Sequence, residues 1–148
     1  MPIRAAVETD IPQLLSLVRR YWQFEGLGGF EALRMELLLK RLLTQSSLGE
    51  IWVAEENAQL NAYLVLVYVL SLEHQGLMAE VDEFFVLPQA RGQGVGSELL
   101  ATAEEVLRRR GCVRVQLQLA LSNEAARRFY LDRGYRGRTG YELIDKAL

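Results

Sequence analysis

The sequence predicts a single mixed α/β domain spanning residues 1–148, and three observations carry that prediction. At 148 residues, 50% apolar and 24% charged, the chain has material for one core and little room for a second. Its apolar periodicity switches between two and about 3.6 residues in the order strand, two helices, three strands, helix, strand, helix, strands. A strongly apolar strand also runs through a glycine-rich turn, Arg91-Gly92-Gln93-Gly94-Val95-Gly96-Ser97, directly into an amphipathic helix.

Ile3 to Val7 reads as the first strand. Thr9 or Asp10 can cap a helix whose apolar stripe is Ile11, Leu14, Leu15, Val18 and Trp22, with Pro12 tolerated in its first turn. Leu27-Gly28-Gly29 interrupts it. The second helix covers Phe30 to Leu43, with Leu33, Leu37, Leu38 and Leu42 at helical spacing. Ile51 to Ala54 and Leu60 to Leu72 are strands around a turn at Glu56-Asn57-Ala58, and Leu77 to Leu87 feeds the glycine turn. Ser97 or Gly96 opens a helix with an apolar face of Leu99, Leu100, Ala103, Val106 and Leu107, which Gly111 stops. Val113 to Leu119 is a strand and Asn123 to about Asp132 a helix. A final strand pair, Tyr135 to Arg138 and Tyr141 to Ala147, brings the expected totals to six to seven strands and about four helices.

Composition removes several classes of function. A net charge of −2 gives no general attraction to DNA or anionic lipid, although arginines crowd the last third, where they suit solvated faces and helix C-termini. No nucleic-acid or membrane partner is expected. The opening Met1-Pro2-Ile3-Arg4 leads straight into a strand, and no apolar run has the length of a bilayer span, so the expected location is the cytoplasm. One cysteine, Cys112, cannot form an internal disulfide, and one histidine, His74, cannot anchor a metal cluster, so no metal is expected. Cys112 reads as a small buried residue at a helix-to-strand turn, and His74 as an exposed residue of a hairpin turn.

The glycine turn is built almost wholly from backbone, so consecutive N–H groups can converge on an anion where the helix dipole also favours negative charge. A diphosphate is the natural guest. A P-loop needs Lys and then Ser or Thr after its last glycine, but Gly96 is followed by Ser97 and Glu98. A Rossmann turn needs Gly or Ala at position 97 and an acid about 20 residues on, where the chain reads Gln116-Leu117-Gln118. Neither fits.

Arg91-x-x-Gly94-x-Gly96 after a strand and a proline instead resembles the acetyl-CoA loop of the GNAT N-acetyltransferases. The run Asn123-Glu124-Ala125-Ala126-Arg127-Arg128-Phe129-Tyr130-Leu131-Asp132-Arg133-Gly134-Tyr135 is similar to that family's Asn-x(5)-Phe-Tyr-x(3)-Gly-aromatic helix. The resemblance is specific from about Glu80 to Tyr135. It implies a mixed, mostly antiparallel central sheet and acetyl-CoA as co-substrate. It also implies a diphosphate held by residues 91 to 97, that is Arg91, Gly92, Gln93, Gly94, Val95, Gly96 and Ser97. The main chain of Phe85 and Val86 would pair with the pantetheine arm, and Asn123 and Ala126 would lie near the cofactor. Tyr130 resembles the residue that returns a proton to the departing thiolate.

The base is less determined. Regular alternation along Leu77 to Leu87 places Glu83 in an apolar row, where desolvation raises a carboxylate towards the range of a general base. A bulge in this strand would swap the faces beyond it. By resemblance to the acidic segment of diamine N-acetyltransferases, the role falls on Asp82, and by resemblance to other members on Glu80. All three stay open. For the acceptor, Trp22 and Glu25 in the aromatic and acidic end of the first helix are candidates to line a pocket for a cation. The expected reaction is acetyl transfer to a primary amine, a small cationic molecule, by direct attack, with a non-catalytic acyl-CoA-binding sensor as the alternative. A homodimer is compatible with the resemblance, and no residue fixes the oligomeric state.

Overall fold

The computed structural model describes all residues, 1–148. They form two compact units, Met1–Leu117 and Gln118–Leu148. The first holds β1 (Ile3–Ala5), α1 (Ile11–Glu25), α2 (Ala32–Thr44), β2 (Gly49–Glu56), β3 (Gln59–Ser71), β4 (Gly76–Val86), α3 (Val95–Arg109) and β5 (Arg114–Leu117). The second holds α4 (Glu124–Leu131).

The five strands make one sheet in the order β1-β2-β3-β4-β5. Pairing is antiparallel from β1 to β4 and parallel between β4 and β5, as the helical crossover through α3 requires. One sheet face buries Ile51, Val53, Tyr63, Val65, Phe85 and Leu87 against Leu14, Leu17 and Val18 of α1 and Leu39 of α2. Alternation sends Ala54, Ala62, Leu64 and Leu66 to the other face, where α3 packs with Leu99, Leu100, Ala103 and Leu107 buried.

The β2–β3 hairpin turns where expected, through Asn57 and Ala58 at φ of 52° and 61°. Gly49 is required by close approach: a Cβ there would stand 1.9 Å from the Leu66 carbonyl oxygen.

Several expectations need correction. The sheet has five strands, not six to seven, because residues 135–148 form no strand. Tyr141, Leu143 and Ile144 are residue types that strands favour or accept, yet they are exposed and no ladder receives them. Propensity without a partnering edge makes no strand. In α2 the predicted stripe holds only at Leu42: Leu33 is 79% exposed, Leu37 69% and Leu38 47%, while Leu39 is buried and Met35, Leu42 and Leu43 pack against the core. The helix carries leucines around most of its circumference, so spacing alone does not select a face.

Asp10 occupies the N-cap position of α1 without capping it. Its carboxylate instead accepts from Arg4 at 2.7 and 2.9 Å and from the Val7 N–H at 2.8 Å, and the Arg4 guanidinium holds it below the ordinary carboxylate range. His74 is partly buried in its turn rather than exposed, and Cys112 is only half-buried. No helix is long and apolar enough to cross a membrane.

Candidate active site

The site grows out of one irregularity in β4. Val65 of β3 pairs with Glu83, while the next residue, Leu66, pairs with Val81. Asp82 is therefore the extra residue of a β-bulge. Cross-strand partners share a sheet face, so the ladder fixes where each side chain goes. Glu80 lies opposite Val67, and Glu83 opposite Val65. In a regular strand these two acids would face opposite ways; the bulge puts both on the face covered by α1 and α2. The same residue marks a second change, because the parallel ladder with β5 runs from Met78–Arg114 only as far as Val81–Leu117.

Glu83 is half-buried and held at both oxygens. The Trp22 indole Nε1 donates to Oε2 at 2.8 Å, and the Tyr63 hydroxyl donates to Oε1 at 2.9 Å. Burial raises its proton affinity above the ordinary carboxylate range, the two donors offset part of that rise, and the neighbouring Asp82 charge adds to it. Asp82 is itself raised, first by partial desolvation and then by the charge of Glu80. The fully buried Tyr63 is pushed far above its ordinary value by desolvation and by Glu83, so it stays protonated and remains a donor.

Tyr63 is a site residue that the sequence reading missed. The available signal was a phenol in the otherwise apolar run Leu60 to Leu66, since a buried hydroxyl demands a polar partner.

Aromatic rings wall this carboxylate. Tyr21 meets Tyr63 edge-on at 6.4 Å and Phe85 at 6.0 Å, Phe24 meets Phe85 at 6.0 Å, and Trp22 meets Phe30 edge-on at 5.5 Å. Trp22 thus sits beside Glu83. Glu25 ends α1, half-buried, three residues on and so on the adjacent part of the same helix surface. Gly26 closes the helix at φ 70°.

The glycine turn follows β4 through the short helical turn Pro88–Ala90. Gly92 and Gly94 have φ of 74° and 80°, and a Cβ on either would meet nothing within 4 Å. These glycines answer to backbone conformation and to open space, not to packing. Gly94 is the N-cap of α3, and the first helical bond runs from the Glu98 N–H to the Gly94 carbonyl. The amides of Val95, Gly96 and Ser97 precede that bond and lie at the positive end of the helix dipole.

The Arg91 side chain folds back to β4. Its Nε donates to the Val86 carbonyl at 2.9 Å, and its guanidinium carbon lies 5.1 Å from the Phe24 ring centre and 5.4 Å from that of Phe85. The Leu87 N–H bonds to Asn61, which places the Leu87 main chain towards β3 and that of Val86 away from it. Phe85 is paired with Tyr63 in the ladder. Gln93 folds onto its own turn, its side-chain amide donating to the Gln89 carbonyl at 3.1 Å.

In the second unit, Asn123 caps α4 by accepting from the Ala126 N–H at 3.1 Å. Tyr130 packs edge-on against Phe129 at 5.2 Å and against Tyr135 at 5.3 Å. Burial pushes its hydroxyl up to about 12, so at neutral pH it is a proton donor. No group of His, Cys, Asp or Glu is arranged to hold a metal ion.

An anion-receptive glycine turn at a helix start thus follows a bulged strand that carries two partly desolvated carboxylates. Residues 11–135 match the acetyltransferase (GNAT) family model, and the chain belongs to that family. An uncharacterised N-acetyltransferase of Bacillus subtilis, YhfO, is 30% identical over 145 residues, 95% of this chain and 93% of that protein. The aminoalkylphosphonate N-acetyltransferase of Salmonella typhimurium is 37% identical over 84 residues, 57% of this chain, and the match spans only 54% of that relative. Among solved structures, an integron cassette protein from the mobile metagenome of Cole Harbour salt marsh superposes with a TM-score of 0.86 at 29% identity, covering 99% of this chain and 90% of that one. The protein is an acetyl-CoA-dependent acetyltransferase.

Proposed function

We propose that residues 1–148 act as one N-acetyltransferase domain that acetylates a small cationic primary amine by direct attack, with Glu83 as the base. The observation that carries this reading is the Glu83 carboxylate itself: desolvated, raised in proton affinity, and fixed by Trp22 and Tyr63 beside the bulge. An alkyl amine with a pKa of about 10.4 is neutral in roughly one molecule in 2,500 at pH 7, a deficit of about 4.6 kcal/mol that a positioned base offsets. When Glu83 takes the proton, the Tyr63 hydroxyl can turn to accept, whereas Trp22 can only donate. Asp82, accessible at the bulge, offers the route by which that proton leaves. Glu80 on the same face, and Glu25 with Trp22 at the end of α1, favour a cationic acceptor.

Acetyl-CoA supplies the acetyl group as a thioester. The left-handed glycines and the open space around them suit its diphosphate at Arg91 to Ser97, the Val86 main chain suits an extended amide arm, and Asn123 and Ala126 begin the helix that carries Tyr130. Tyr130, protonated at neutral pH, returns a proton to the departing sulfur. The Salmonella relative's aminoalkylphosphonate acceptor supports a small-molecule amine here.

Thiol release from acetyl-CoA, measured across a panel of primary amines, tests the reading. Turnover with small amines and about a 10²-fold loss in Tyr130→Phe are expected. Retained acetyl-CoA binding with no release from any amine would leave a sensor instead.

A further inference from the structure

The residues that join α1 to α2 hang on one side chain. Of residues 26–31 only Phe30 is not exposed; it packs against the core, while Leu27 is 50% exposed and a Cβ on Gly28 or Gly29 would meet nothing within 4 Å. The Phe30 ring comes back onto α1. It meets the Trp22 indole at 5.5 Å with the ring planes 80° apart, and the Arg19 guanidinium carbon stands 5.0 Å from its centre. Arg19 and Trp22 are three residues apart, hence neighbours on one side of the helix, and Phe30 is seated between them.

Trp22 spends its single donor, Nε1, on Glu83 Oε2 at 2.8 Å. A hydrogen bond weakens steeply as its alignment is lost, so whatever holds the plane of the indole holds the bond. A ring packed nearly perpendicular to that plane resists its rotation. The other groups around Glu83 do not depend on the loop: Asp82 and Glu80 lie on β4, Tyr63 on β3 and Tyr21, against Tyr63, on α1, while Arg91 lies over Phe85 and the charged residues of α2 are exposed.

We propose that Phe30 is a positioning residue: seated between Arg19 and Trp22, it holds the indole donor on Glu83 and makes that bond depend on how the loop 26–31 lies. The proposal rests on the reading of Glu83 as the base and adds a residue that acts only through Trp22. Without the ring the indole loses its aim and ionised Glu83 loses a donor. Its proton affinity then rises, and the rate falls away at a higher pH.

The test reads Glu83 in two ways. Trp22 and Trp52 are the two tryptophans, and Trp52 Nε1 is buried without a partner, so Trp52→Phe leaves no group unpaired and isolates the emission of Trp22. In that background the emission is titrated with pH, Glu83→Gln assigns the step, and the acidic limb of kcat/KM for thiol release is followed in parallel. Phe30→Leu is expected to move both to higher pH, by less than Trp22→Phe moves the limb, with about a 2–5-fold loss at neutrality, within the range of an aromatic pair. Phe30→Met, apolar but without a ring, repeats the test where Phe30→Leu does not fold, and Phe30→Tyr, which keeps the ring, retains the wild-type values. Once Trp22→Phe is in place, adding Phe30→Leu moves the limb no further. A further shift in that double variant overturns the inference, as does the lack of any Glu83-dependent step. A step that Phe30→Leu leaves unmoved, with a limb that Glu83→Gln removes, overturns the inference alone. A moved step with an unmoved limb overturns the reading of Glu83 as the base and the inference with it.

Discussion

The two halves of β4 share one strand and have different work. From Met78 to Val81 it is paired on both sides, to β3 and to β5, and Met78, Ala79 and Val81 are buried. From Asp82 to Val86 the ladder to β3 continues while the one to β5 has stopped, and two carboxylates of raised proton affinity appear in succession. A single inserted residue separates a segment paired on both sides from the one that carries the proposed base. The fold tolerates that insertion because β3 stays in register with β2 at that level, Val65 with Ile51 and Leu66 with Glu50, so the irregularity is absorbed on the β4 side.

Substitutions in the two halves should therefore separate chemistry from stability. Glu83→Gln keeps the shape and removes the base, and kcat should fall by about 10²–10⁴-fold in the thiol-release assay while the melting temperature moves little. A loss under threefold would break the comparison. Met78→Ala, in the other half, empties a buried site and should cost about 2–5 kcal/mol in denaturant unfolding, with the kcat of the folded enzyme unchanged. Trp22→Phe should act more gently. It retains a ring but deletes the Nε1 donor that favours ionised Glu83, so the proton affinity of Glu83 rises further. The rate falls as pH drops through that raised value, so the acidic limb of the kcat/KM profile should move to higher pH, with about a 3–10-fold loss at neutrality, the worth of one hydrogen bond. An unmoved limb would assign the base elsewhere, with Asp82 the next candidate.

Much of this was legible in the sequence for physical reasons. The glycine turn announces itself because glycine adopts the φ of Gly92 and Gly94 without strain, and α1 because Ile11, Leu14 and Val18 recur on one side of the helix. The bulge was not legible. Val81, Asp82 and Glu83 alternate like any strand, and only the register against Val65 and Leu66 shows which residue is extra. The partners of Glu83 come from α1 and β3, at separations of 61 and 20 residues, so no local pattern joins them. The buried face of α2 escaped because leucine surrounds that helix, and the fold-back of Arg91 because one side chain's rotamer leaves no trace in composition.

At the far end of α3 from the glycine turn, Arg110 grips Glu50 at 2.9 and 3.0 Å, and the Tyr68 hydroxyl donates to that same carboxylate. A helix of 15 residues is a rod about 22 Å long. Bolted to the sheet at its tail and wedged along its length by Leu99, Leu100, Ala103 and Leu107, it has no slack with which to recoil. If the diphosphate sits at that turn, as proposed above, it meets a braced helix start: little freedom remains there to be frozen out, and affinity should owe more to stiffness laid down during folding than to any adjustment on contact.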